Sequence, residues 1–248
     1  CVLMQIPPAS PARPSRCHAV IPSAGSGSRL PGDAPKQYRR LLGESVVQHT
    51  VRAILQTPRI ASVSVVVQEG DVWAADALQP DPRLHLLPRG GATRAHSVLG
   101  GLEALLASGA DVSDWALVHD AARCCITPEL IDRLIDACLE DDVGGLLALP
   151  LPDTLKAADS AGRVACTEPR EGRWLAQTPQ MFRIGALREA LRAAIIVNAP
   201  PTDESGAMER QGARPLLVPG ASWNFKITYS PDLELAQALL AARAGVST

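Results

Sequence analysis

A chain of 248 residues with 24 basic and 26 acidic side chains is nearly neutral and long enough to bury one large α/β core or two small ones. That balance gives no global attraction to nucleic acid or a membrane surface, so any anion site must be local. Aromatic residues are only 3 %, which argues against a stacking platform for single-stranded nucleic acid. No apolar run approaches the ~18 residues of a membrane span.

Residues 1–16 carry four prolines and no apolar signal core. They read as a poorly ordered extension, not a signal peptide, with a single domain over 17–248. From there short β-rich runs alternate with helical patterns. Cys17–Ile21, Ser62–Gln68, Leu84–Leu87, Trp115–His119 and Gly144–Pro150 read as strands, several apolar throughout as strands buried on both faces are. Helical spacing links Val46, Val47, Thr50, Val51, Ile54 and Leu55, then Val98, Leu102, Leu105 and Leu106, then Leu130, Leu134, Ile135 and Cys138. Thr127-Pro128 and Ser230-Pro231 read as helix starts, a cap hydroxyl followed by proline. The rhythm breaks over Leu151–Thr178, which reads as extended chain, a β-arm. A helix over Gly185–Val197, a strand near Arg214–Val218 and a last helix from Pro231 follow. The alternation predicts an α/β fold of Rossmann-like type, a mostly parallel sheet with helices on both faces and a protruding β-arm.

Six cysteines (Cys1, Cys17, Cys124, Cys125, Cys138, Cys166) show neither C-x-x-C spacing nor a zinc-like pairing with histidine. They read as thiols of a reducing compartment, which makes a cytoplasmic protein the expectation.

Three glycine-rich or acidic turns follow predicted strands, where open α/β sheets gather ligands. The first, Ser23-Ala24-Gly25-Ser26-Gly27-Ser28-Arg29, ends the first strand and runs on to Lys36. Its glycines let backbone N–H groups approach an anion, and two cations beside such a loop suit a triphosphate. Neither G-x-G-x-x-G nor the P-loop lysine–hydroxyl pair is present, and the glycine loop alone is equally a plain turn. The second, Val118-His119-Asp120-Ala121-Ala122-Arg123, offers a carboxylate for a magnesium ion that bridges phosphates, or one that merely caps a turn. The third, Gly90-Gly91-Ala92-Thr93-Arg94-Ala95-His96-Ser97, offers backbone groups to a base or is a simple strand–helix connection. Asn224-Phe225-Lys226-Ile227-Thr228 reads as a strand-like piece whose lysine, taken alone, is solvated. No G-x-S-x-G nucleophile elbow occurs, and His85 and His96 fit no metal-hydrolase arrangement.

Taken in order, these pieces together with Pro35-Lys36-Gln37-Tyr38, Pro152-Asp153-Thr154-Leu155-Lys156, Thr178-Pro179-Gln180-Met181-Phe182 and Thr202-Asp203-Glu204 resemble the 2-C-methyl-D-erythritol 4-phosphate cytidylyltransferase family. The resemblance implies a homodimeric, magnesium-dependent enzyme using CTP. It puts Arg29 and Lys36 on the triphosphate in the glycine loop of Gly25 and Gly27, Lys226 near the reacting phosphate and Asp120 on the metal. Backbone at Ser23 and Ala24, with Gly91 and Ser97, would hold the cytosine. Arg123, Thr154, Lys156, Arg170 and Thr178 would meet the second substrate, the 151–178 arm reaching the neighbouring subunit. Ser23, Ala92 and Cys124 depart from the family pattern of alanine, aspartate and proline, and none of these changes removes a charge the chemistry needs. A cytidylyltransferase for another polyol phosphate, such as ribitol 5-phosphate, is the nearest alternative reading. A non-catalytic nucleotide-binding module is the alternative from another class.

Overall fold

The structure is a computed structural model and describes residues 15–25 and 34–245. Gly27, Arg29 and nearly all of the expected N-terminal extension therefore lie outside the described residues. Seven strands form the central sheet: β1 (Cys17–Pro22), β4 (Ile60–Val66), β5 (Leu84–Leu87), β6 (Trp115–Val118), β7 (Gly144–Pro150), β10 (Trp174–Arg183) and β11 (Leu216–Pro219). Two short hairpins complete the strand set, β2 (Arg40–Leu41) with β3 (Glu44–Ser45), and β8 (Leu155–Ala158) with β9 (Val164–Glu168). The helices are α1 (Val46–Leu55), α2 (Ala74–Ala77), α3 (Arg94–Ala107), α4 (Pro128–Leu139), α5 (Ile184–Ile196), α6 (Glu204–Arg210) and α7 (Ser230–Ala244), with a 3-10 turn at Lys36–Tyr38.

The sheet order is β11-β7-β10-β6-β1-β4-β5. β10 runs antiparallel to both its neighbours, and every other pairing in this sheet is parallel. Successive side chains of a strand point to opposite faces, and each strand feeds two cores accordingly. In β1, Cys17, Ala19 and Ile21 join α1 and α4 on one face. Val20, between them, joins α3, α5 and α6 on the other. Trp115 and Leu117 of β6 divide from Ala116 and Val118 in the same way. The apolar strands of the sequence are thus buried on both faces, as expected of a helix-covered parallel sheet. A third cluster joins Leu41, Val46, Cys124, Cys125, Ile227 and Ala236, and seats α7 beside the carboxyl end of the sheet.

Several expectations are corrected. Asn224–Thr228 is irregular, not a strand. It is tied by single contacts: the Ile227 amide donates to the Ala122 carbonyl at 2.9 Å, and Asn224 Nδ2 donates to the Thr178 carbonyl at 2.8 Å. The second strand covers Ile60–Val66 instead of Ser62–Gln68. The cap of α7 is Tyr229, one residue earlier than Ser230, and the Asp232 carboxylate accepts the amides of Thr228 and Tyr229. Thr127 sits at the cap position of α4 without a side-chain capping bond. The 151–178 stretch holds the β8–β9 hairpin, but its last residues already belong to β10, a strand running through the middle of the sheet.

Candidate active site

The carboxyl ends of β1, β4, β5 and β6 open onto one cavity of about 730 Å³. Its wall includes Ser23, Ala24 and Gly25 after β1, Gln68 and Asp71 after β4, Gly91–Arg94 before α3, Asp120–Ala122 after β6, and Lys36 and Lys226. The start of the first loop, Ser23–Gly25, is fixed from behind. Gln37 Nε2 donates to both the Ser23 and Gly25 carbonyls at 2.9 Å, and Tyr38 Oη donates to Asp71 Oδ2 at 2.7 Å. Gly90 packs against that loop so closely that a methyl group on it would come within 2.5 Å of Ala24 Cβ. A side chain at position 90 would push two walls of the cavity apart. On the third loop, the Thr93 hydroxyl caps α3 by accepting the His96 amide, and Ser97 Oγ accepts the Gly91 amide at 3.1 Å. Gln68 Nε2 lies 3.4 Å from both the Ala24 and Gly91 carbonyls, so these two acceptors converge on one point.

Charge gathers around Asp120, which is only 8 % exposed. Arg94 Nε donates to its Oδ1 at 3.0 Å, Lys226 Nζ lies 2.9 Å from Oδ2, and Arg123 Nε lies 3.6 Å from Oδ2. Burial alone would push the carboxyl pKa up; Arg94, Lys226 and Arg123 outweigh it and hold Asp120 well below the usual carboxylate range. Behind Arg94 stands Glu204, fully buried, with Oε1 2.5 Å from Nη1 and Oε2 3.0 Å from Nη2. Burial disfavours the Arg94 cation, but Glu204 and Asp120 more than restore it, so its pKa rises. Lys36 Nζ donates to the Ile227 carbonyl at 2.9 Å, which brings the return of the first loop against the segment carrying Lys226.

His119 supports the carboxylate from below. Its Nε2 lies 3.2 Å from the Arg123 carbonyl, an acceptor only, so Nε2 carries the proton. Nδ1 then accepts from the Thr178 hydroxyl at 2.9 Å, and that hydroxyl accepts the Asp120 amide at 3.0 Å. Burial pushes His119 down to about 4, so the ring is neutral near pH 7 and every one of these groups is paired.

A model of the family described as IspD, 2-C-methyl-D-erythritol 4-phosphate cytidylyltransferase, matches residues 17–242. The chain belongs to this family. It is 53 % identical over 227 residues to the 2-C-methyl-D-erythritol 4-phosphate cytidylyltransferase of Laribacter hongkongensis, covering 91 % of this chain and 96 % of that one. It is 55 % identical over 228 residues to the bifunctional enzyme IspD/IspF of Albidiferax ferrireducens, covering 92 % of this chain and spanning only 54 % of that longer protein. A crystal structure of 4-diphosphocytidyl-2C-methyl-D-erythritol synthase superposes with a TM-score of 0.81 at 38 % identity, covering 92 % of this chain and all of that one. The Francisella tularensis cytidylyltransferase gives 0.78 at 30 % identity, covering 91 % of this chain and all of that one.

Of the residues that the family resemblance singles out, the fold brings Ser23, Ala24, Gly25, Lys36, Gly91, Ser97, Asp120 and Lys226 to this one cavity. Arg123 lies just behind it, with Nη1 donating to the Asn224 carbonyl at 2.8 Å. Thr178 is buried beneath Asp120, its hydroxyl engaged by His119 and a backbone amide. Thr154, Lys156 and Arg170 are exposed on the arm and line no part of the cavity. Lys156 Nζ donates to Thr167 Oγ1 at 2.6 Å across the hairpin, and Arg170 donates to the Pro152 carbonyl. Sequence reasoning passed over Gln37, Arg94, His119 and Glu204. All four stand inside the motifs that carry the family resemblance, but an internal partner can be recognised only once the partner's position is known.

Proposed function

We propose that this chain joins CTP and 2-C-methyl-D-erythritol 4-phosphate to give 4-diphosphocytidyl-2-C-methyl-D-erythritol and pyrophosphate. The observation that carries this reading is one cavity lined by Ser23–Gly25 at the start of the glycine loop, the Gly91–Arg94 turn, Asp120 and Lys226, in a chain that matches the family from residue 17 to 242. A phosphate oxygen of the second substrate attacks the α-phosphorus of CTP, and the bond to the bridging oxygen breaks as pyrophosphate leaves. The second pKa of a phosphate monoester is near ~6, so the nucleophile is already ionised near neutrality and no general base is required. What the chain supplies is alignment of two anions and neutralisation of the charge between them. Lys36 and Lys226 serve there, with the amides of the glycine loop and, from outside the described residues, Arg29 and Gly27.

Cytosine fits the slot between Ser23–Ala24 and Gly91–Ser97. The Ala24 and Gly91 carbonyls, which converge on one amide nitrogen of Gln68, suit an exocyclic amine with two N–H groups. A uracil carbonyl in that place would set acceptor against acceptors.

Asp120 is the residue that would hold a magnesium ion beside the phosphates. Asp120 is ionised, and its hard oxygen beside the cavity cation Lys226 is Oδ2, which would be shared between the ion and Lys226 Nζ, now 2.9 Å away. No group of three or more candidate ligands lies together among the described residues, so phosphates and water would complete its shell. When bound, such an ion offsets negative charge on the phosphates.

In this reading the chain is a homodimer. The arm reaches the partner's cavity with Thr154, Lys156 and Arg170, while Arg123 and Thr178 belong to the home side.

The test follows pyrophosphate release with CTP, magnesium and 2-C-methyl-D-erythritol 4-phosphate, with UTP and ribitol 5-phosphate in parallel. Release with the first pair is expected, and kcat/KM at least about 10³-fold lower with UTP, since a site built around a donor rejects analogues that lack it. Equal rates with UTP would remove the base-site assignment, and faster turnover of ribitol phosphate would move the substrate.

A further inference from the structure

Glu204 is fully buried, forms no part of the cavity wall, and spends both carboxylate oxygens on Arg94. Arg94 opens α3, Glu204 opens α6, and Asp120 follows β6, so the ion pair ties three separate parts of the chain together. The amino end of α6 is itself anchored to β10. Gln180 Nε2 donates to Asp203 Oδ2 at 3.0 Å, and Gln180 Oε1 accepts the Ser205 amide at 2.7 Å. The guanidinium is thereby divided: Nη1 and Nη2 face Glu204, and Nε faces Asp120 Oδ1.

Stability alone is a weak reason for such a pair, because buried ion pairs can often be replaced by apolar residues of similar volume without loss. Its geometry has a specific consequence at the cavity. Arg94 holds one oxygen of Asp120 and leaves the other to Lys226 and Arg123. Without Glu204 the fork would be free to close on both oxygens of Asp120 and compete with Lys226.

We propose that the buried Arg94–Glu204 pair is a positioning device for the transfer reaction, fixing Asp120 so that one carboxylate oxygen is turned to Lys226 and the cavity. The proposal rests on the cytidylyltransferase reading, and wild-type turnover of CTP with 2-C-methyl-D-erythritol 4-phosphate tests that reading separately.

The decisive variant is Arg94→Met with Glu204→Leu, which removes both charges together and so leaves no uncompensated ion in the interior. It is measured in the wild-type background and again with Asp120→Asn. In an active wild type, we expect the double substitution to lower kcat at least about 10-fold, in line with loss of catalytic alignment. In the Asp120→Asn background the same pair should cost less than about threefold more, because residues that act as a unit are not additive. Unchanged kcat in the wild-type background overturns the proposal. So does an equal further loss in the Asp120→Asn background, which would assign Arg94 to the substrate directly or to general stability. Arg94→Lys decides the matter if the double variant does not accumulate. It keeps the charge but not the planar fork, and should lower kcat by a similar factor while KM for CTP stays within about threefold. Retained kcat in that variant is equally fatal.

Discussion

The cavity wall and the β8–β9 arm use similar residue types in opposite ways. At and just behind the cavity, Arg94, Arg123 and Lys226 each lie against Asp120, and Gln37, His119 and Glu204 are each engaged by neighbours from other parts of the chain. On the arm, Lys156 Nζ donates to Thr167 Oγ1 across the hairpin. All five residues of β9 are exposed, and Trp174 and Leu175 at the arm's base are exposed as well. A charged group held by internal partners is preorganised and costs no reordering when substrate arrives. Charges on the exposed hairpin are held only by neighbours on the arm itself, Lys156 by Thr167 and Arg170 by the Pro152 carbonyl, and none of these contacts ties them to the cavity. In the proposed homodimer this contrast would put the CTP half of the reaction in one chain and draw part of the second-substrate half from the neighbour's arm.

The largest expected effect breaks the first half. Lys226→Ala, and independently Lys36→Ala, should lower kcat by about 10²-fold or more, the usual cost of deleting a preorganised donor at a developing charge. Steady-state pyrophosphate release by folded, purified variants measures it. Near wild-type turnover would show that these lysines only pack, Lys226 against Asp120 and Lys36 against the Ile227 carbonyl.

A smaller effect probes the arm. Lys156→Ala should raise KM for 2-C-methyl-D-erythritol 4-phosphate about 10-fold, the value of one charge-assisted hydrogen bond. KM for CTP should stay within about threefold. Mixing then sharpens the contrast. If the arm completes the neighbour's cavity, re-associated dimers of Lys226→Ala with Lys156→Ala chains contain sites in which both lysines are intact. At low second substrate their activity should rise about fivefold above the mean of the two variants measured separately, given random two-fold pairing. Activity equal to that mean would place the complete site within one chain.

The same contrast separates what could be read in the sequence from what could not. β1, β5, β6 and β7 are runs of apolar residues ended by turn residues, and local pattern suffices for them. β10 escaped because its outer half belongs to the exposed arm and its inner half to the core, so no single period spans it. Asn224–Thr228 looked like a strand because Phe225 and Ile227 alternate with polar residues. Its path is set instead by the Asn224 amide on the Thr178 carbonyl, 46 residues away in sequence. Lys36, Asp120 and Lys226 were legible through the motifs around them. Arg94 and Glu204 were not, since their meaning lies in a contact across 110 residues that no local pattern announces.

The smallest expected effect concerns the neutral histidine beneath the site. His119 is buried and pushed down to about 4, whereas in the unfolded chain it titrates near its ordinary value of 6.5. Between those values the unfolded state binds a proton that the folded state refuses, so stability falls as pH falls from about 6.5 towards 4 and changes no further through this group below that. The difference in pKa corresponds to an upper bound of about 3 kcal/mol. His49, also buried and shifted down, contributes in the same direction. Asp120, held well below the usual carboxylate range, adds a loss that sets in near about pH 5, as the unfolded carboxylate starts to protonate, and grows below that; the wild type and a His119 variant share it. His119→Gln removes the titration while retaining a side-chain amide that can donate to the Arg123 carbonyl. Its melting temperature should therefore start lower at pH 7 but fall less steeply between pH 6.5 and 4.5 than that of the wild type. A parallel decline in both proteins would mean that the ring is not kept neutral by its burial, and that Thr178 and Asp120 are held by something other than the hydrogen-bond chain through Nδ1.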